Sequence, residues 1–296
     1  MRNFILGTDW WTDCDDVVAL RILSRAHKSG EICLKGVAIN ACMEYSVSSV
    51  DGLLTTEGVS DVPIGIDFEA DEDIGNALYQ KNLSAYASRY LKNEDAENAV
   101  KLYRQILAEA DEPVEIVEVG FLQVVSALLE SEPDEISDKS GLELVKEKVS
   151  KFWVMAGKWS EEGGKEYNFS GTGYAKKASE IFCRLCPVPI TFLGFEVGER
   201  VISGSKLDKD DVLYTALCDH GSPNGRESWD PMTAVLALTG DEEVAGYDTV
   251  TGFARVDEAD GRNYFTKSPD GNHKYVVMKK EPDFYKNIID DKIKSM

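Results

Sequence analysis

Four aspartates, Asp9, Asp13, Asp15 and Asp16, fall within eight residues near the start of the chain. Like charges at that spacing raise one another's pKa unless a cation or a hydrogen-bond donor compensates them. An all-oxygen donor set suits a hard ion such as calcium or magnesium better than zinc. Capping of a helix start, where carboxylates meet the positive dipole end, accounts for one or two of the four, and the rest exceed what a cap requires. An EF-hand does not explain them, because the segment lacks that loop's glycine and terminal glutamate and runs straight into an apolar helix.

The elements around the cluster follow from the hydrophobic pattern. Phe4 to Thr8 reads as a strand, and a helix follows from about Val17 with Val17, Leu20, Leu23 and Ala26 on one face. Cys33 to Ile39 is a second strand and Val47 to Leu54 starts the next helix, with a short strand and turn at residues 61–65. A helix is expected over about 96–109, a strand over Val114 to Val119, a helix over Leu122 to Leu129, and strands at Phe152 to Met155 and Ile190 to Leu193. The glycine-rich stretch 161–173 and a helix separate the last two strands. Asp230-Pro231 opens a helix through Leu238, since Asp is a good N-cap and proline is favoured at the first helical position. Strands alternating with helices predict an α/β fold: an open, mostly parallel, doubly wound, Rossmann-like sheet with helices on both faces. No repeat or linker divides residues 1–296, so one domain is expected, with its ligand site beyond the carboxyl ends of the strands.

Composition narrows the partners. A net charge of -21 disfavours nucleic acid and anionic membranes, which select for Lys and Arg clusters. No apolar run approaches the roughly twenty residues of a membrane span, and the N-terminus lacks the apolar stretch and cleavage site of a signal peptide. The mature protein is therefore expected to begin at Met1. The six cysteines are scattered through apolar segments and read as reduced thiols of a cytoplasmic protein. Cys183 and Cys186 have the C-x-x-C spacing without a second pair, which favours core packing over zinc.

The run Thr8-Asp9-Trp10-Trp11-Thr12-Asp13-Cys14-Asp15-Asp16, continued by Val17-Val18-Ala19-Leu20, resembles the N-terminal aspartate motif of the inosine-uridine preferring nucleoside hydrolase family, in the variant with two extra residues before the terminal Asp pair. The similarity recurs in family order at Asn40, residues 61–65, Val119-Gly120-Phe121-Leu122, Leu128-Leu129 with Ser131 and Pro133-Asp134, Met155-Ala156-Gly157, Glu166-Tyr167-Asn168-Phe169, Gly194-Phe195-Glu196-Val197-Gly198 and Ser228-Trp229-Asp230-Pro231. The resemblance implies a calcium-dependent hydrolase that cleaves the N-glycosidic bond of a ribonucleoside or related N-riboside. It implies that Asp9 binds calcium and takes the proton from the attacking water, that Asp16 and Asp230 are ligands, and that Val119 ligates through its backbone carbonyl. Asp15 matches a residue on a ribose hydroxyl, and Asn40, Glu166 and Asn168 match residues that hold the sugar. Asp13 lies in the two-residue extension and its role stays open. Related enzymes are commonly homodimers or homotetramers, so a homo-oligomer is expected.

Each position also has a bland reading. Asn40 fits an ordinary turn, Glu166 a solvated loop charge, Asn168 a side chain bonded to its own backbone, and Asp230 a helix cap. The match departs at three places. One branch of the family has a histidine before the last calcium-binding aspartate; here it is Trp229, which excludes acid catalysis there and leaves stacking on the departing base. Trp10, Trp11, Trp159 and Tyr167 are further candidates for a stacking wall or for core. His220 is the nearest alternative acid in sequence, His27 falls in the first helix, and His273 falls in a polar tail region. The Gly-Pro-Leu-Thr-Asn run appears as Gly120-Phe121-Leu122-Gln123-Val124, and the acidic residue expected after Asn168 is replaced within Ser170-Gly171-Thr172-Gly173. These changes leave the leaving group open and admit an alternative, a non-catalytic ribose- or nucleoside-binding protein. Phosphoryl transfer is disfavoured, since no phosphate-cradling glycine loop with a partnered Lys follows the first strand.

Overall fold

Successive side chains of a strand point to opposite faces, so a strand buried on both sides feeds two cores at once. Phe4 and Leu6 enter one apolar cluster and Ile5 the other; Val37 and Ile39 join the first and Ala38 the second. The computed structural model describes residues 1–70 and 77–295. Within them the strands are β1 (Arg2–Thr8), β2 (Ile32–Ile39), β3 (Ile64–Ile66), β4 (Glu97–Asn98), β5 (Val114–Glu118), β6 (Val149–Met155), β7 (Gly164–Lys165), β8 (Ile190–Leu193), β9 (Ile202–Ser203), β10 (Arg226–Glu227), β11 (Tyr247–Val256), β12 (Arg262–Lys267) and β13 (His273–Met278).

Eleven of these form one sheet in the order β4-β3-β2-β1-β5-β6-β8-β13-β11-β12-β7. Pairing is parallel from β4 through β13 and antiparallel over β13-β11, β11-β12 and β12-β7. The helices Asp15–Lys28, Ser46–Glu57 and Trp229–Thr239 cover one face, and Ala99–Glu109, Gln123–Glu130 and Ala175–Leu185 the other. The α/β, mostly parallel, doubly wound arrangement is thus present. From β1 the chain winds outward through β2 and β3, then returns to place β5 on the other side of β1. That reversal opens a crevice at the carboxyl ends of β1 and β5, where open α/β sheets bind ligands.

Two expectations need correction. The C-terminal region is not a polar tail: β11 to β13 extend the sheet, and His273 lies on β13 with 3% of its surface exposed. Burial drives its pKa down to about 4. These strands are covered unevenly: in β11 the buried Gly252, Ala254 and Val256 alternate with the exposed Phe253 and Arg255, while Asp248 and Thr249 are both exposed, so they lack the mostly apolar run that marks the central strands. The helix containing Asp230 begins two residues earlier than expected, at Trp229 with Ser228 at the N-cap, so Asp230 occupies the first turn and not the cap. Cys183 and Cys186 are core residues.

Candidate active site

The loop after β1 is held in a conformation that side chains seldom adopt. Trp10 has φ +46°, in the left-handed region that is costly for a bulky residue. The surroundings fix it: its indole N–H donates to Ser49 Oγ at 2.7 Å, its backbone N–H donates to Asp16 Oδ1 at 3.2 Å, and its carbonyl accepts from the Gln80 amide. Trp10 is therefore core, and its burial turns Asp9 and Trp11 toward the strand ends. Gly120, just beyond β5, packs so closely that a Cβ there would collide with the Asp9 backbone nitrogen and with Asn40. The absence of a side chain lets the two strand ends meet.

A cavity of about 310 Å³ opens at this point, with Asp9, Asp13, Asp15, Asp16 and Asp230 in its wall. Carboxylate oxygens of Asp15, Asp16 and Asp230 lie within 4.8 Å of one another, although Asp230 is more than two hundred residues away in sequence. The Asp230 backbone N–H donates to Asp15 Oδ2 at 3.0 Å, which ties the start of its helix to the aspartate loop. Asp9 accepts from the Trp11 backbone N–H at 3.2 Å, and Asp16 accepts from Thr8 Oγ1. Burial first, then mutual repulsion, raises the carboxyls of Asp9, Asp15 and Asp230 well above the ordinary range. Burial pushes Asp16 up to about 7 against the opposing bond from Thr8.

Asp13 behaves differently. Arg226 grips it with both arms of the guanidinium, Nε to Oδ1 at 2.8 Å and Nη2 to Oδ2 at 2.6 Å. Burial raises its pKa, but the hydrogen bonds and charge of Arg226 outweigh that and hold it below the usual value. His220 Nε2 lies 3.6 Å from the same carboxylate while Nδ1 meets Ser222 Oγ at 3.0 Å; His220 is not among the residues lining the cavity.

Glu166 and Asn168 both line the cavity and are both buried. Glu166 accepts backbone N–H bonds from Gly157 at 2.9 Å and Asn168 at 2.8 Å, so it is a fixed carboxylate and not a solvated loop charge. Asn168 Nδ2 donates to the carbonyls of Val119 and Met155, each at 2.9 Å. A carbonyl oxygen has two lone pairs, so this bond does not exhaust Val119, which also lines the cavity. Asn40 departs from expectation: it is fully buried, donates to Glu118 Oε1 at 2.8 Å, accepts from the Phe121 N–H at 2.9 Å, and does not line the cavity. Its two polar ends join β5 to the turn at Gly120, a positioning role.

Aromatic rings supply the remaining walls. Trp11 stacks on Tyr167 with centroids 5.7 Å apart, and Phe195 stacks on Trp229 at 5.5 Å. All four line the cavity. The Trp229 indole N–H is committed to the Phe195 carbonyl at 2.8 Å, so that ring offers its face. Trp159 is instead core, packed among Phe169, Phe192, Phe265 and Tyr275. Sequence reading missed Arg226, whose partner is distant in the chain, and Glu118, a strand carboxyl pushed up to about 8 by burial. The run Val114 to Val119, which carries both Glu115 and Glu118, gave no hint that the Glu118 carboxyl turns inward to meet Asn40.

The donor set fits a hard divalent cation. Among the described residues, Arg226 is the cation paired to this acidic group, and it is engaged by Asp13 and Glu227. The buried Asp15, Asp16 and Asp230 and the partly buried Asp9 remain, and an oxygen-seeking ion would compensate their shared negative charge.

Comparison with protein-family models gives no match, and neither does comparison with curated proteins. Solved structures do match. An inosine-uridine preferring nucleoside hydrolase from Bacillus anthracis is 16% identical with a TM-score of 0.69, covering 99% of this chain and 100% of that one. A purine-preferring ribonucleoside hydrolase from Gardnerella vaginalis is 17% identical with a TM-score of 0.71, covering 98% and 99%. The type III effector protein XopQ, complexed with adenosine diphosphate ribose, is 15% identical with a TM-score of 0.68, covering 98% and 92%. Over nearly its whole length, this chain has the fold of the nucleoside hydrolases.

Proposed function

We infer that this chain is a member of the nucleoside hydrolase family that hydrolyses the N-glycosidic bond of a ribonucleoside or related N-riboside, with Ca²⁺ as its cofactor. The observation that carries the reading is the convergence of Asp9, Asp15, Asp16 and Asp230, with no salt bridge to a cation among the described residues, on a cavity that also holds Glu166, Asn168 and two stacked aromatic pairs.

Asp9, Asp16, Asp230 and the Val119 carbonyl are the residues that would hold the ion. When bound, it neutralises the carboxylates, lowers the cost of ionising water and gathers the sugar diol. Asp9 takes the proton as the water oxygen attacks the anomeric carbon. The C–N bond breaks and its electron pair leaves with the base, which acquires a proton from solvent. Asp15 and Glu166 accept hydrogen bonds from ribose hydroxyls. Asn168 offers its Oδ1, because its amide N–H groups are directed to Val119 and Met155. Fixed negative charge around the ring stabilises the oxocarbenium-like transition state. Trp229 and Phe195 provide a flat surface for the base, which suits stacking and not proton donation.

The test is direct: purified protein is incubated with calcium and a panel of purine and pyrimidine nucleosides, and reducing sugar is assayed. Release of free pentose, abolished by Asp9→Ala, supports the reading. Binding of nucleosides without release of sugar contradicts it and leaves a ribose-binding protein.

A further inference from the structure

The acidic cluster is divided by one arginine. Asp15, Asp16 and Asp230 face one another, whereas Asp13, also in the cavity wall, is turned onto Arg226. Arg226 in turn lies over the Trp229 ring, with its guanidinium carbon 5.3 Å from the centroid. Arg226, which does not itself line the cavity, thus links Asp13 to Trp229, both of which do, and places the Asp13 carboxylate beside the aromatic surface. Its geometry is fixed on three sides: the two Arg226 bonds and the Cys14 backbone N–H at 2.7 Å. With its charge already balanced, Asp13 is a poor recruit for a cation but a rigid hydrogen-bond acceptor.

We propose that Asp13, positioned by Arg226, is a specificity residue that selects leaving groups carrying an N–H or amino donor on the ring stacked against Trp229. This rests on the N-riboside reading of the cavity and names the class of base it takes. A bound base without such a donor strips water from the carboxylate and returns nothing, which is the asymmetry that makes buried polar groups discriminating. A base with a donor replaces that water by a charge-assisted bond.

Adenosine and inosine, whose six-membered rings bear an amino group or an N–H, are compared with purine riboside, which bears neither. Both kcat/KM and, with calcium present, calorimetric Kd are measured for the wild type, Asp13→Asn and Arg226→Gln, together with calcium affinity. The wild type is expected to favour the better of the two donor-bearing nucleosides over purine riboside by about ten- to a hundredfold, the range of a hydrogen bond to a charged group. Both variants are expected to lose most of that ratio while calcium affinity stays within about threefold, a tolerance of less than 1 kcal/mol. Because each ratio is compared between proteins, intrinsic differences in leaving-group ability cancel. Retention of the wild-type ratio by a folded Asp13→Asn, or by Arg226→Gln where Asp13→Asn does not fold, overturns the proposal. So does an absence of preference in the wild type. Should the wild type bind nucleosides without cleaving them, the hydrolase reading fails and the Kd ratio alone decides the role of Asp13.

Discussion

Two of the regions that bury carboxylates resolve the cost in opposite ways. On the outer flank of the first helix, Arg21 lies 2.7 Å from both Glu57 and Asp211, and Arg25 lies 2.8 Å from Glu57. Arg21 also donates to the carbonyl of Ile293 and Arg25 to those of Lys292 and Lys294, so the network ties the C-terminal helix to the first. At the opposite, N-terminal end of the same helix, Asp15 and Asp16 face Asp9 and Asp230 with no arginine among them. Where protein cations balance the charge, the group is scaffold. Where they do not, the like charges cost stability that a bound cation would return, and the imbalance lies at the end of the helix that borders the cavity.

Breaking each region separately gives different signatures. The largest effect is expected from Asp9→Ala, which should lower kcat/KM by about 10²- to 10⁴-fold, the span of a lost general base, with the circular dichroism spectrum unchanged. Near-normal activity in that variant would refute the role given to Asp9. In the balanced region, Glu57→Ala leaves Arg25 without a carboxylate and the buried Arg21 with Asp211 alone, and should cost about 3–5 kcal/mol by urea denaturation. Calcium affinity should be unaffected, and a variant that lost affinity along with stability would show that the two regions are not independent.

Calcium at about a hundred times its Kd should add about 2.7 kcal/mol of stability, seen as a rise in Tm that chelator abolishes. The pH dependence sharpens this. A carboxyl whose pKa is higher in the folded state contributes its stability below its unfolded value and loses it as pH rises through the folded one. The unfolded value is about 4, and Asp16 is pushed up to about 7, with Asp9, Asp15 and Asp230 also raised. Chelator-treated protein should therefore fall in Tm from about pH 4 to beyond pH 7, and calcium should flatten the fall. A chelated protein whose Tm climbs over that window would mean that the carboxylates are compensated in some other way. The smallest effect is expected at Trp229, where Ala should raise KM severalfold and Phe should restore it, since a ring face and not the indole N–H meets the base.

Much of this was legible in the chain before folding was considered. Central strands buried on both faces are written as mostly apolar runs broken by a few polar residues such as Lys35 and Glu115, and Asp9, Asp15 and Asp16 stood out because their crowding with Asp13 exceeds what a helix cap requires. Glu166 and Asn168 were reached only through the resemblance, since nothing in their neighbours announces that backbone amides will fix them. Asn40 shows the limit of that route: its side chain serves Glu118 and Phe121 and does not line the cavity. The pairing of Asp13 with Arg226 spans more than two hundred residues, and the strands β11 to β13 alternate too weakly to declare themselves. Both belong to tertiary structure, where a contact has no periodicity to betray it.

Isothermal titration of calcium into chelator-treated protein probes the shared cation site without relying on any substrate. One site per chain is expected in the wild type, preserved in Asp13→Asn and Glu57→Gln and lost in Asp230→Asn. An absence of binding to the wild type, or undiminished binding to Asp230→Asn, would contradict the convergence of these carboxylates on a single ion.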